Sequence, residues 1–223
     1  MTDKSTAPSP RTRIRRKPER ANYDTDTIAA IVDAALMCNV AFQIDGSVHA
    51  IPTLHWRDGQ YLYIHGAKAS RMLKALTEGE ACLTIALADG LVLARSALHH
   101  SMNYRSVVIY GRFEAVTEPL EKQRSLQALI DGLYPERWET LRPISDKELN
   151  ATSVLRIALD EASAKVRNWG VKDDEEDLAW PVWAGVIPLH TRPGTPLVEP
   201  DSKVGAVPAT RFDWRSENSF ESE

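Results

Sequence analysis

A histidine, a serine and an arginine fall close together in Tyr61 to Leu76, YLYIHGAKASRMLKAL, in the order of an anion site. Tyr61, Tyr63 and His65 alternate with Leu62 and Ile64, the period of two expected of a half-buried strand. Gly66 lets the backbone turn. Ser70 stands where a helix N-cap belongs, Met72, Leu73 and Leu76 make an apolar stripe behind it, and Gly79 supplies a stop. A helix that begins beside a loop offers unpaired amides and the positive end of its dipole, and Lys68, Arg71 and Lys74 add charge of the same sign. His65, Ser70 and Arg71 are therefore the expected phosphate ligands. An ordinary solvated helix with a serine cap has the same pattern, so the rest of the chain has to decide between the two.

Other catalytic arrangements are not evident. Ser96, Ser101 and Ser106 lie near His99 and His100, but there is no GxSxG turn to present a nucleophile. The carboxylates gather in helices and in Asp173 to Asp177, DDEED, rather than in pairs on strands. That run lacks the spacing and the glycine of a calcium loop, and it is expected to be a solvated loop. No CxxC or HExxH occurs, and the adjacent His99 and His100 point in different directions without a third ligand, so no metal site is expected. GxGxxG and P-loop patterns are missing too, which argues against a doubly wound nucleotide fold. An enzyme with this sequence would borrow its reactivity from a cofactor.

The elements that position these residues are mostly strands. Asp24 or Asp26 caps a helix whose Ile28, Ile31, Val32, Ala35 and Leu36 share one face. Asp45-Gly46, Asp58-Gly59 and Asp89-Gly90 each sit between apolar or alternating runs and predict three hairpins of an antiparallel sheet. Strands are expected over 40–44, 47–56, 60–65, 81–88, 91–94, 103–117, 153–159 and 183–189. Pro52 marks an edge or a bulge in the second. Leu126, Leu129, Ile130 and Leu133 form the buried face of a later helix stopped by Tyr134-Pro135, and Asp146 to Asn150 make one short turn. The fold class expected is mainly β with helices (α+β), a small barrel of about six antiparallel strands with helices packed on it.

Composition fits one domain: 223 residues, 43% hydrophobic. No apolar run approaches the roughly 20 residues of a membrane span, and the N-terminus lacks a signal-peptide core. A soluble, cytoplasmic protein without a membrane partner is expected. Cys38 and Cys82 read as reduced core thiols. Seven Lys or Arg against two Asp or Glu give residues 1–20 a charge of +5, so the net −4 of the chain leaves −9 on the rest. An acidic body repels a polyanion, and no nucleic-acid partner is expected. Residues 1–20 are expected as a flexible basic arm or one folded over a partner subunit, 21–190 as the domain, and 191–223 as a Pro-rich extended or disordered tail.

Five segments carry a resemblance to a known family: RIRRKPERANYD (13–24), YIHGAKASRML (63–73), DGLVLARSALHHSMNYRSVVIYGR (89–112), DEASAKVR (160–167) and PVWAGVIPL (181–189). Together they resemble the FMN-binding split-barrel superfamily that includes pyridoxamine 5′-phosphate oxidase, in the flavin-nucleotide-binding branch related to nitroimidazole-resistance proteins. The resemblance implies a homodimer with one FMN at each end of the subunit interface. It implies that the backbone of Ile51, Pro52, Thr53 and Leu54 runs along the flavin ring. Ile64, His65 and Gly66, with Ser70 and Arg71, would hold the ring edge and phosphate. Arg105 and Ser106 stand where oxidases have an Arg-Gln-Val segment, and Trp183 stands where a Trp-Gln-Gly segment reaches the partner's flavin. His55, His65 and Tyr104 could line a flavin face. The last residues, PATRFDWRSENSFESE, lack the arginine-bearing tail that grips a substrate phosphate, so vitamin B6 oxidation is not expected. The resemblance thus implies an FMN-dependent oxidoreductase, of nitroreductase or oxidase type, acting on a small molecule in a cleft between subunits. The alternative is a flavin- or haem-binding protein that stores or senses its cofactor, with His99 or His100 as an axial haem ligand.

Overall fold

Left-handed backbone at Asp45 (φ 50°) and Gly46 (φ 77°) closes the first hairpin, between β2 (Met37–Ile44) and β3 (Ser47–Leu54). Residues with positive φ at both central positions match the twist of the strands they join. Gly59 (φ 57°) turns the second, between β4 (Trp56–Asp58) and β5 (Tyr61–Ala67). The computed structural model describes residues 6–211; the first five residues of the basic arm and the last twelve of the tail lie outside it.

Asp89-Gly90, expected to turn a third hairpin, does not turn. It lies inside one long strand, β6 (Ala81–Leu93), where the register against β7 (Ser101–Gly111) shifts between Ala88 and Gly90. The pair forms a β-bulge, an extra residue that bends a strand without ending it. Before the bulge the other edge of β6 pairs with β2, and after it with β11 (Gly185–Pro188). Glycine is needed at position 90 because a Cβ there would stand 3.0 Å from Val186 Cγ1 and 3.1 Å from the Ile187 carbonyl oxygen.

Two sheets result. The larger runs β1 (Ala21–Asn22), β10 (Ala162–Arg167), β7, β6, β2, β3, with β11 beside β6; the smaller runs β4, β5, β9 (Thr152–Ala158), β8 (Glu114–Ala115). Every pairing is antiparallel, and neither sheet closes into a barrel, so the fold is an α+β split barrel. Among the described residues eleven strands replace the roughly six expected. The expected strand 103–117 divides at Gly111 to serve both sheets, and β10 was not foreseen as a strand.

Helix α1 (Thr25–Ala34) is capped by Asp24, whose carboxylate accepts from the Thr27 amide at 2.9 Å. It packs with α2 (Arg71–Glu78) on the main core, built from Ile28, Val32, Val40, Ile64, Leu76, Leu83 and their neighbours. Helix α3 (Pro119–Leu133) covers the opposite face of the small sheet over Trp56, Tyr63 and Val154, and α4 (Asp146–Ala151) follows behind a Ser145/Glu148 capping box. Residues 6–20 lie against the body. Arg11 bonds Glu80 and Glu161 at 2.7 and 2.9 Å and stacks on Tyr110. Cys38 and Cys82 are free thiols, and burial pushes Cys38 up to about 12.

Gly46 holds the hairpin that presents β3. Gly46→Ala forces a Cβ into left-handed backbone at a cost of about 1 kcal/mol, and the thermal midpoint is expected to fall by about 2–4 °C. The same substitution at Gly132, which lies inside α3 with open space around its Cβ position, should not lower it.

Candidate functional site

Among the described residues β3 is an edge of the large sheet, paired with β2, and Pro52 occupies it without removing a ladder donor from a central strand. Ile51 and Pro52 are exposed, Thr53 and Leu54 half-buried, so this strand offers backbone groups and small apolar surface to a flat ligand. β5 passes close to it and ends at Ala67, just after Gly66, where a Cβ would meet Leu73 of α2 at 3.1 Å. The chain then crosses to α2. The Ser70 amide donates to the Ala67 carbonyl at 2.9 Å, and Ser70 Oγ accepts from the Leu73 amide at 3.4 Å. Ser70 is the N-cap expected from the sequence. Arg71 and Lys68 are exposed beside the helix start and carry no ion pair among the described residues that would cancel their charge.

The alternation of β5 sorts its side chains to two destinations. Leu62 and Ile64 enter the main core with Leu73 and Leu76, so Ile64 can offer a ligand only its backbone. Tyr63 faces Trp56, with the rings stacked at 5.6 Å, and His65 follows it to the α3 side. His65 is thus turned away from the face that carries α2, and the structure does not gather it with Ser70 and Arg71 as the sequence suggested.

His65 instead lines a cavity of about 700 Å³ between β5, α3 and the segment leading to α4. Leu126, Leu129, Ile130, Trp138, Leu141 and Ile144 supply apolar walls, with Gln123, Arg142 and Glu148 among the polar groups. His65 Nδ1 is buried and has no hydrogen-bond partner. Burial pushes this imidazole below its usual value, which keeps it neutral, the form that binds metals. A buried polar atom left without a partner costs about 1–3 kcal/mol. The cavity was missed in the sequence because residues 134–145 show no periodicity, although Trp138, Leu141 and Ile144 in one short loop are a signal.

The remaining expected residues lie elsewhere. Arg105 is held by Asp89 of the bulge through two bonds of 2.9 and 2.7 Å, so its charge is already compensated. Ser106 Oγ donates to the Lys165 carbonyl at 3.4 Å. Trp183 is exposed and folds its ring over Gly185, where a Cβ would come within 2.8 Å of it. His55 is buried, with Nε2 3.0 Å from the Val32 carbonyl, and lines a smaller cavity of about 300 Å³. Tyr104 is half-buried on β7. His100 caps the Ser96 carbonyl at 3.0 Å, and His99 lies 4.0 and 3.8 Å from Asp173 and Asp174. Neither is among the residues that line these two cavities. The 173–177 run is not simply solvated, since the Asp173 side chain is 1% exposed and bonds Arg95 at 2.7 Å. Donor atoms of His99, Asp174 and Asp177 come within 4.8 Å of one another, although Asp174 is exposed. No helix among the described residues is long and apolar enough to cross a membrane.

Comparison with known proteins bears on the family and the fold. The family model described as pyridoxamine 5′-phosphate oxidase matches residues 24–166. The flavocytochrome Anf3 from Azotobacter vinelandii is 42% identical over 93% of this chain and 96% of that chain, with a TM-score of 0.87. The FAD and heme binding protein from Mycobacterium smegmatis is 36% identical over 84% of this chain and 93% of that one, with a TM-score of 0.80. A candidate 5-nitroimidazole antibiotic resistance protein from Bacteroides thetaiotaomicron shares the fold at 21% identity, covering 66% of this chain and 86% of that one, with a TM-score of 0.56. No curated protein matches the chain.

Both buried histidines tie stability to pH. Burial lowers His65 and His55 below the ordinary 6.5, so below that value the unfolded chain binds more protons than the native one. Native stability is highest above 6.5 and falls as the pH drops toward the folded values. Urea unfolding between about pH 7 and pH 5 is expected to show this decline, with a shallower slope in His65→Gln. Equal slopes in the two proteins would mean that His65 is not held neutral.

Proposed function

Because the chain belongs to the pyridoxamine 5′-phosphate oxidase family, we propose that it is a flavin-dependent oxidoreductase, active as a homodimer, that carries haem as a second redox group. The observation that carries the haem part is His65, an imidazole that burial pushes below its usual value and that lines a large, mostly apolar cavity. Haem binding needs such a ligand, apolar walls, and a cation near the rim for carboxylates. Arg142 supplies the cation. Its guanidinium is largely exposed and is now held by Glu148 of the α4 capping box.

The flavin part rests on β3 and α2. Ile51 to Leu54 give an exposed strand edge for the ring, with the backbone of Ile64 to Gly66 alongside, and the amides at Ser70 with Arg71 take the phosphate. That phosphate is common to FMN and FAD, and the FAD of the mycobacterial relative favours the dinucleotide over the FMN expected from the sequence. Arg105, Ser106 and Trp183 are assigned to the flavin of the partner subunit. A dimer also explains why β3 leaves one edge unpaired and why Met37, Val48 and Ile51 are exposed on the β2–β3 ribbon.

Flavin supplies hydride chemistry and haem supplies one-electron and oxygen chemistry, so a chain that holds both links a two-electron donor to a one-electron acceptor. The protein's part is to bind and orient. His65 offers its nitrogen, the α3 residues exclude water, and β3 fixes the plane of the ring. The donor is a small molecule, and the compartment expected is the cytoplasm.

The visible spectrum of the purified protein tests this, with release and identification of each chromophore. A two-band flavin spectrum with a Soret band is expected. His65→Ala should lose the Soret band and keep the flavin, while Ser70→Ala combined with Arg71→Ala should lower flavin occupancy and keep the Soret band. NADH or NADPH should bleach the flavin, with an acceptor restoring it; a carrier that stores or senses its cofactor would show colour without bleaching. A colourless protein that cannot be reconstituted with flavin or haem would sink the proposal.

A further inference from the structure

Arg167, at the end of β10, is 3% exposed, and no carboxylate of the described residues pairs with it. Its bonds go to neutral acceptors: Nη1 donates to Asn103 Oδ1 and to the Trp169 carbonyl at 2.8 Å, and Nη2 to the Gly170 carbonyl at 3.0 Å. Nε is buried without a partner. These bonds satisfy N–H groups and leave the charge uncompensated, and a buried charge is costly unless it is paired.

Two more cations surround the same indole. The Pro18–Arg20 turn and the pairing of Ala21 with Lys165 bring in Arg20, whose guanidinium carbon lies 5.4 Å from the centre of the Trp169 ring. Arg167 lies at 5.2 Å and Lys172 Nζ at 5.4 Å. Arg20 Nε is buried without a hydrogen bond, and its ion-pair neighbour Glu19 stands off at 3.9 Å. The acid next to Lys172 in sequence, Asp173, is committed to the amide and guanidinium of Arg95 at 3.0 and 2.7 Å. Burial, then the charge of Arg20, push the Arg167 guanidinium below its ordinary value. One ring attracts each cation weakly and does nothing about the repulsion among three of them.

We infer that Arg20, Arg167 and Lys172 form an anion site beside Trp169 that takes a phosphoryl group. Two guanidiniums and an ammonium exceed the charge of one carboxylate and match the two or more negative charges of a phosphate ester or diphosphate. Arg20 is partly exposed and Lys172 is exposed, so these two reach the ligand while Arg167 holds the field behind them. The phosphoryl group belongs either to the protein's own flavin dinucleotide or to a separate nucleotide that visits the protein.

Calorimetric titration of inorganic pyrophosphate into the full chain tests the site, both as purified and after the chromophores have been stripped. Binding to the stripped chain alone that Arg20→Gln or Lys172→Gln weakens, and that Ser70→Ala combined with Arg71→Ala does not abolish, assigns the site to the second phosphate of a bound dinucleotide. Equal binding to both forms assigns it to a separate nucleotide. Arg20→Gln and Lys172→Gln, both at accessible positions, are each expected to weaken binding by about 10-fold, while Lys147→Gln on α4 leaves it unchanged. Lack of binding to either form overturns the inference, and so does an affinity that neither Arg20→Gln nor Lys172→Gln alters. The readout is the heat of pyrophosphate binding, so a negative result here leaves the colour-based test of the flavin and haem untouched.

Discussion

β5 is buried on both faces, and that two-sided cover organises the small sheet and everything that touches it. Its side chains must alternate, so each face needs its own partner. Leu62 and Ile64, both fully buried, draw α1, α2 and β2 onto one side. Tyr63 and Trp56 draw α3 onto the other. His65, half-buried at the end of this strand, lies on the α3 side. Trp56 approaches its ring at 5.7 Å and does not satisfy its Nδ1. The cavity is thus a consequence of the strand pattern together with an α3 that stops at Leu133 before the next segment closes over it.

What could be read from the sequence was local in origin. The caps at Asp24 and Ser70, the hairpins at Asp45-Gly46 and Asp58-Gly59, and the edge position of Pro52 all follow from the φ, ψ and hydrogen-bonding habits of single residues. Asp89-Gly90 has the same dipeptide chemistry and a different outcome. Strand β7 continues past it and β11 binds the edge behind it, and pairing partners distant in sequence overrule a turn preference. β10 went unseen because Ala162 and Ala164 are fully buried small residues, which leave a weak hydrophobic period where the packing is tightest. The site divided in the same way. Ser70 and Arg71 were recognisable from the capping pattern, whereas the cavity beside His65 is closed, more than 50 positions away, by α3 and by a following segment that has no period.

Charge shows the same limit. The acidic run at 173–177 has the composition of a solvated loop, yet Arg95, 78 positions earlier, fixes Asp173 inside. Asp89 and Arg105 pair across the bulge, and Arg11 ties the basic arm to Glu80 and Glu161. Exposed pairs of this kind contribute about 0–1 kcal/mol each, so they choose where segments rest more than they stabilise the fold. Against these matched pairs Arg167 stands out, because it is buried and no carboxylate of the described residues pairs with it.

The two faces of β5 also bear on why one chain would hold two redox groups. On the proposed reading, flavin lies along β3 and the α2 start, while haem lies under α3, so the small sheet stands between them. Ile64 would then offer its backbone to one side and His65 its side chain to the other, and adjacent residues of a single strand would fix both groups in one frame. A flexible loop at this position would leave the separation variable. A strand clamped from both faces does not, and the tight stacking of Tyr63 on Trp56 is what keeps it clamped on the α3 side.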